Sequence, residues 1–139
     1  MATFKQIREG IATNLQGISG LQQSAYVLAE PTLPAAQVAP MEIEYDKAFQ
    51  RGLDALEFKV MVLVGSVSDI GAQKNLDPFL DPSGSKSIKA AVESDDTLGG
   101  LVESVRVVRC SGYRLYERAG QAPALGAEWT VEVWTGGTA

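Results

Sequence analysis

The 139-residue chain contains no histidine and a single cysteine, Cys110. These absences remove most of the side chains that enzymes use near neutral pH for proton transfer, nucleophilic attack and metal ligation. The composition therefore points to binding rather than catalysis, with no cofactor implied. One cysteine excludes an intrachain disulfide, and Cys110, close to Val107 and Val108 in an apolar strand pattern, reads as a buried structural thiol. No run approaches the roughly 20 apolar residues that cross a bilayer, and the opening Met1-Ala2-Thr3-Phe4-Lys5-Gln6 lacks the apolar centre of a secretory signal. The expectation is a soluble protein made in the cytoplasm, without a membrane partner. Basic charge is also short. Twelve Lys and Arg against seventeen Asp and Glu leave a net charge of -5, which repels a phosphate backbone and argues against tight DNA binding.

What remains is the composition of a globular protein, 45% hydrophobic and 21% charged, at a length that supports one core and not two. A single domain over residues 1–139 is expected, with long loops that the fourteen glycines and six prolines announce.

Thr3 followed by Gln6 forms a capping-box pattern, after which Phe4, Ile7, Ile11, Leu15 and Ile18 recur at helical spacing. This predicts an amphipathic first helix ending near Gly17 or Gly20, its stripe docked on a sheet. Residues 21–28 read as a short strand. Pro31, Pro34 and Pro40 then confine residues 30–40 to an edge or a loop, because proline supplies no ladder donor. Residues 41–45 alternate with period two, as do residues 56–64, where Leu56, Phe58, Val60, Val62 and Val64 share one face. The other face starts polar at Glu57 and Lys59 and turns apolar at Met61 and Leu63, as in a central strand covered on both sides at its end. Residues 46–55 form a polar connection too long for a tight hairpin.

Ser68 is the expected cap of a second helix carrying Ile70, Ala72, Gln73 and Leu76, which Pro78 and Pro82 interrupt. Residues 83–85 restart a short third helix with Ile88, Ala91 and Val92, and residues 95–100 form a turn. Two strands close the domain, over 102–110 and 127–134, and their hairpin extends through Arg114, Leu115 and Tyr116. In the last strand Ala127, Trp129, Val131 and Val133 oppose Glu128, Thr130, Glu132 and Trp134. The class is α+β: a single mixed, mostly antiparallel sheet of four to five strands packed against two to three helices, in the order helix-strand-strand-strand-helix-helix-strand-strand.

Chemical motifs are few. Ser83-Gly84-Ser85-Lys86 matches the S-x-x-K of penicillin-recognising serine enzymes, but the companion motifs are missing and the chain is too short for that fold. Gly84-Ser85-Lys86-Ser87 resembles the end of a phosphate-binding loop whose glycines are absent at the required places. Glu93, Asp95 and Asp96 lack the spacing of a calcium loop and read as solvated turn acids, so no metal site is expected. Arg106, Arg109, Arg114 and Arg118 make the one local basic excess. The odd offset of Arg106 and Arg109 puts them on opposite faces of a regular strand, against a continuous phosphate-tracking stripe. They fit either a solvated edge or an interface where guanidinium groups meet carboxylates, for which Glu42, Glu44 and Asp46 are the natural counterpart, within the surface or across subunits. The interface set is Glu42, Glu44, Asp46, Lys47, Arg51 and Asp54 together with Arg106, Arg109 and Arg114.

The runs Ser68-Asp69-Ile70-Gly71-Ala72-Gln73-Lys74, Thr97-Leu98-Gly99-Gly100 and Arg109-Cys110-Ser111-Gly112-Tyr113, with the ending Leu125-Gly126-Ala127-Glu128-Trp129-Thr130-Val131-Glu132-Val133, resemble tail terminator proteins of long-tailed siphophages. The opening Ala2-Thr3-Phe4-Lys5-Gln6-Ile7-Arg8 and the order of elements are similar to that family as well. The resemblance implies a small α/β virion protein of the tail or neck, assembled in the host cytoplasm. It would form a ring, a hexamer, on the last ring of the tail tube protein, stop polymerisation there and present its other side to the head-tail connector. DNA would only pass through the bore, and an acidic ring would let it slide. The loops at 30–40 and 46–55 would gain order in that ring. Another neck component, a head-closure or tail-completion protein, is the neighbouring alternative, and a small cellular ligand-binding regulatory domain is the alternative from a different class.

Overall fold

The computed structural model describes residues 3–18, 20–26, 34–44, 53–65, 69–118 and 121–136. Its elements follow the chain as α1 (Phe4–Leu15), β1 (Gln22–Ser24), β2 (Ala35–Glu44), β3 (Leu53–Val64), α2 (Asp69–Leu80), α3 (Ile88–Val92), β4 (Ser104–Arg118) and β5 (Gln121–Gly136). The strands build one mixed sheet in the order β1-β2-β3-β5-β4, antiparallel except where β1 runs parallel to β2. This is the expected α+β class.

Helix α1 begins as its first residues dictate. Thr3 accepts from the Gln6 backbone N–H at 3.1 Å while the Gln6 side chain accepts from Thr3 N–H at 2.9 Å, so two otherwise orphaned donors are satisfied reciprocally. Ile7, Ile11, Leu15 and Ile18 are buried and join Leu76 and Phe79 of α2 and Ile88 and Val92 of α3 in one core. Opposite them stand Leu56, Phe58, Val60, Val62 and Val64 of β3 and Ala127, Trp129, Val131 and Val133 of β5. The helices of this core thus cover one sheet face. Antiparallel sheets tolerate that arrangement because their second face can carry polar side chains.

Several expectations are corrected. Residues 35–40 belong to β2: 35–37 are paired on both sides and so are neither loop nor edge, while Pro40 stands on the edge stretch that β1 does not pair, at a bulge between Pro40 and Glu42. Residues 53–55 already belong to β3, while 45–52 and the predicted Ser68 cap lie outside the described residues. Pro78 sits inside α2, which runs on two residues further to Leu80, so the proline expected to interrupt the helix lies within its end. Helix α3 starts at Ile88 and not at 83–85, because Ser87 is the cap, accepting from Ala90 N–H at 3.1 Å and donating to the Asp81 carbonyl at 2.5 Å. Cys110 is exposed. The register shift between Val107 and Arg109 places it opposite Trp129, in the row that faces the helices, so its exposure comes from its place on the outer edge strand, where residues 109–111 are all exposed.

Two side chains blunt the sheet's edges. Where β1 stops, Arg8 donates from Nε to the Ala25 carbonyl at 2.8 Å and from Nη2 to the Val38 carbonyl at 3.0 Å, with its guanidinium 4.6 Å above the Tyr26 ring. On the far side Glu93, held by Lys89 at 2.7 Å, accepts from the Val107 N–H at 2.9 Å. Each satisfies a backbone group at an edge. Arg8→Ala is expected to lower unfolding free energy by about 2 kcal/mol, since hydrogen bonds from a charged group contribute more than neutral ones. Urea titration measures it; an unchanged midpoint would show that the edge carbonyls do not need Arg8.

Candidate assembly surface

The sheet face turned away from the helices is built from alternate residues of three strands. In β3 it takes Glu57, Lys59, Met61 and Leu63, in β5 Gly126, Glu128, Thr130, Glu132 and Trp134, and in β4 Arg106, Arg109, Ser111 and Arg114; Leu63 and Thr130, with Ala35 and Gln37 of β2 in the same row, are buried. The register states this directly: Arg106 stands opposite Glu132, Arg109 opposite Thr130 and Arg114 opposite Gly126, all in one row of β5. The three arginines therefore share a face, contrary to the expectation for a regular strand. Register shifts at Val107/Arg109 and Ser111/Arg114 each change the odd-even count, and Gly112 serves the second with φ 69°, a conformation that glycine adopts without steric cost.

The face is dressed with paired charge. Arg109 Nη2 lies 3.4 Å from Glu57 Oε1, Lys59 Nζ lies 3.3 Å from Glu128 Oε1, and Trp134 Nε1 donates to Glu132 Oε1 at 2.9 Å. Toward the hairpin end, the Tyr116 ring lies over Gly126, its hydroxyl donates to the Gly112 carbonyl at 2.7 Å, and Arg114 stacks 4.6 Å above it. Desolvation first, then the nearby Glu128 charge, push the Tyr116 hydroxyl up from its ordinary pKa. Tyr113 donates to Asp77 Oδ1 at 2.8 Å, tying the hairpin arm to α2; desolvation, that hydrogen bond and the Asp77 charge push its pKa up to about 12. Beside this tie, Ile70 and Leu115 are exposed apolar side chains. Partial desolvation likewise raises the Cys110 thiol, which keeps it a weak nucleophile at neutral pH.

Of the residues expected at an interface, Glu42 and Glu44 stand in β2 in register with Glu57 and Ala55, the row of the open face. Asp54 falls in the other row, opposite Thr135, and is not gathered with them. Asp46, Lys47 and Arg51 lie outside the described residues. The sheet therefore separates an acidic side, β2, from a basic side, β4, across a centre of internally paired charges. Glu57, Lys59, Glu128 and Glu132 were absent from the expected set, although their alternation with the core residues was visible; what a single strand does not disclose is which charge stands across from which.

One further cavity holds polar groups already occupied by the fold. A groove of about 350 Å³ between α1 and the turn after α3 is lined by Glu9, Thr13, Asn14, Asp95 and Leu98. There Thr13 donates to the Glu9 carbonyl, Asn14 to the Val92 and Asp95 carbonyls, and the Asp95 carboxylate accepts from Thr97 and Gly99 N–H. This cap holds Leu98 at φ 51° with its side chain against Gly10. Ser83, Ser85 and Lys86, the S-x-x-K look-alike, are exposed between α2 and α3. Among the described residues no group of three or more carboxylates and thiols is placed to hold a metal ion, and no helix is long and apolar enough to cross a membrane. Comparison with protein-family models finds no match, and comparison with curated proteins finds none.

Proposed function

We propose that the chain is a structural subunit of a phage tail, a terminator that forms a ring on the end of the tail tube, halts its growth and presents the interface to the head-tail connector. The observation that carries this reading is the second sheet face, whose basic and acidic strands are held apart and whose charged side chains no described helix covers. An exposed ion pair such as Arg109–Glu57, with the arginine 62% accessible, contributes roughly 0–1 kcal/mol to a monomer's stability. Monomer stability therefore does not account for so many charges on one face. Ordered charge does set partner choice and register between surfaces. Head-to-tail rings need two different complementary surfaces on each subunit, which is what a sheet with an acidic and a basic side supplies. The segments that resemble terminator proteins include parts of β4 and β5, two of the strands that make this face.

Partners in this reading are further copies of the chain in a hexamer, the tail tube protein and a connector or neck protein, with DNA passing through the bore. The role asks for no catalytic group or cofactor. Electron microscopy of tails assembled without this protein tests it. Tubes of uncontrolled, excessive length are the expected result; tubes of normal length that fail to join heads would assign the chain to a different neck component and overturn the terminator reading.

A further inference from the structure

The two edges of the sheet are open at diagonally opposite ends. On β2, β1 pairs only as far as Gln37 and Arg8 caps the Val38 carbonyl, so past that point no described strand adjoins residues 39–44. On β4, Glu93 caps the Val107 N–H, and past that point no described strand adjoins the outer side of residues 109–118. Three successive antiparallel pairings make β2 and β4 run in opposite directions. A second copy displaced along the sheet would therefore bring its β2 antiparallel beside the first copy's β4, and antiparallel is the more stable ladder.

The charges fit that meeting. The open segment of β4 carries Arg109 and Arg114 in the open-face row, and that of β2 carries Glu42 and Glu44 in the same row. Displacement along the sheet keeps this face on one side, so opposite charges would stand across the new seam. Opposite-charge cross-strand pairs favour a ladder, while arginines set against a second basic edge oppose it. Bulges at Ser111/Arg114 and Tyr116/Arg118 limit the ladder to a short stretch, which leaves charge as the selector.

We infer that residues 39–44 of β2 in one copy pair antiparallel with residues 109–118 of β4 in the next, continuing the sheet from subunit to subunit. The inference rests on the ring reading and supplies its seam. Because the open segments lie at opposite ends, each neighbour is staggered along the strands by roughly five residues, on the order of 17 Å at about 3.4 Å per residue. Strands then cross the assembly obliquely, and the contact is heterologous, leaving one open edge at each end until the chain of copies closes.

Paired charge reversals test the seam. Glu42→Arg with Glu44→Arg makes both edges basic; Arg109→Glu with Arg114→Glu makes both acidic. With native protein assembling alone or on tail tubes, each variant by itself is expected to remain monomeric, with at least a tenfold loss of association. An equimolar mixture is expected to regain the native mass in sedimentation, since basic and acidic subunits alternate. The neutral pairs Glu42→Gln with Glu44→Gln and Arg109→Gln with Arg114→Gln repeat the test without introducing repulsion, and melting curves verify that every variant is folded. A reversed variant that assembles like native protein, or a folded mixture that stays monomeric, would overturn the seam while leaving a ring intact. Native protein that never assembles would instead sink the ring reading itself.

Discussion

Phe58→Ala is expected to remove about 3–5 kcal/mol of unfolding free energy, the range for deleting a fully buried aromatic side chain from a core that cannot collapse around the hole. Phe58 is 0% accessible at the middle of the central strand, between β2 and β5, in the core that the helices cover. Against a typical total of about 5–15 kcal/mol, that loss leaves a small domain close to unfolding at body temperature. Met61, three residues on, belongs to the open face and is only half-buried, so Met61→Ala should cost about 1 kcal/mol or less. Urea unfolding of both variants measures the difference between the two faces. Equal losses would mean that the second face is covered as thoroughly as the first, and the assembly surface would not exist in the free subunit.

The second large effect comes from adding a single carbon. A Cβ at Gly126 would stand 2.5 Å from Leu63 Cδ2, 2.6 Å from the Val62 carbonyl oxygen and 3.1 Å from the Tyr116 ring. Leu63 and Tyr116 can rotate, but the carbonyl is part of the β3 backbone, so the sheet itself must give. Overpacking of this kind costs about 1–3 kcal/mol and occasionally more; with backbone as the obstacle the upper end, about 3 kcal/mol, is expected for Gly126→Ala. Trimming Leu63 to alanine in the same chain should not restore stability, because the carbonyl contact persists and a buried side chain is lost as well. Thermal unfolding of the single and double variants decides it. Recovery in the double variant would identify the leucine as the sole obstacle and show that the strands have room to part.

These two positions show what was legible. The alternation through Phe58 and through Trp129 is a local, period-two signal, and each strand folded as that signal directs, as did the Thr3–Gln6 cap of α1. The arginines were misplaced because β4 is bulged, and Cys110 because β4 lies at the sheet's edge, which strand order and not local pattern decides. Strand periodicity assumes two residues per repeat, and β4 departs from it at Val107/Arg109, Ser111/Arg114 and Tyr116/Arg118. An inserted residue is invisible in the pattern of one strand, because the partner strand defines it. Gly112 was the single local hint, a glycine inside a strand pattern. Pro78 misled in the other direction: the helix ends two residues after it, at Leu80, rather than before it. The charged face was legible only as charges on separate strands. Their gathering onto one face, and the division into acidic and basic sides, follows from the strand order β1-β2-β3-β5-β4, which no local pattern encodes.

The most direct measurement of the central claim is an image of the protein mixed with purified tail tubes. The account predicts a ring of copies seated on one end of each tube, with sheets running continuously across neighbouring subunits, and tubes that no longer elongate when tube protein is added. Protein that stays free of the tubes while they continue to grow would contradict it.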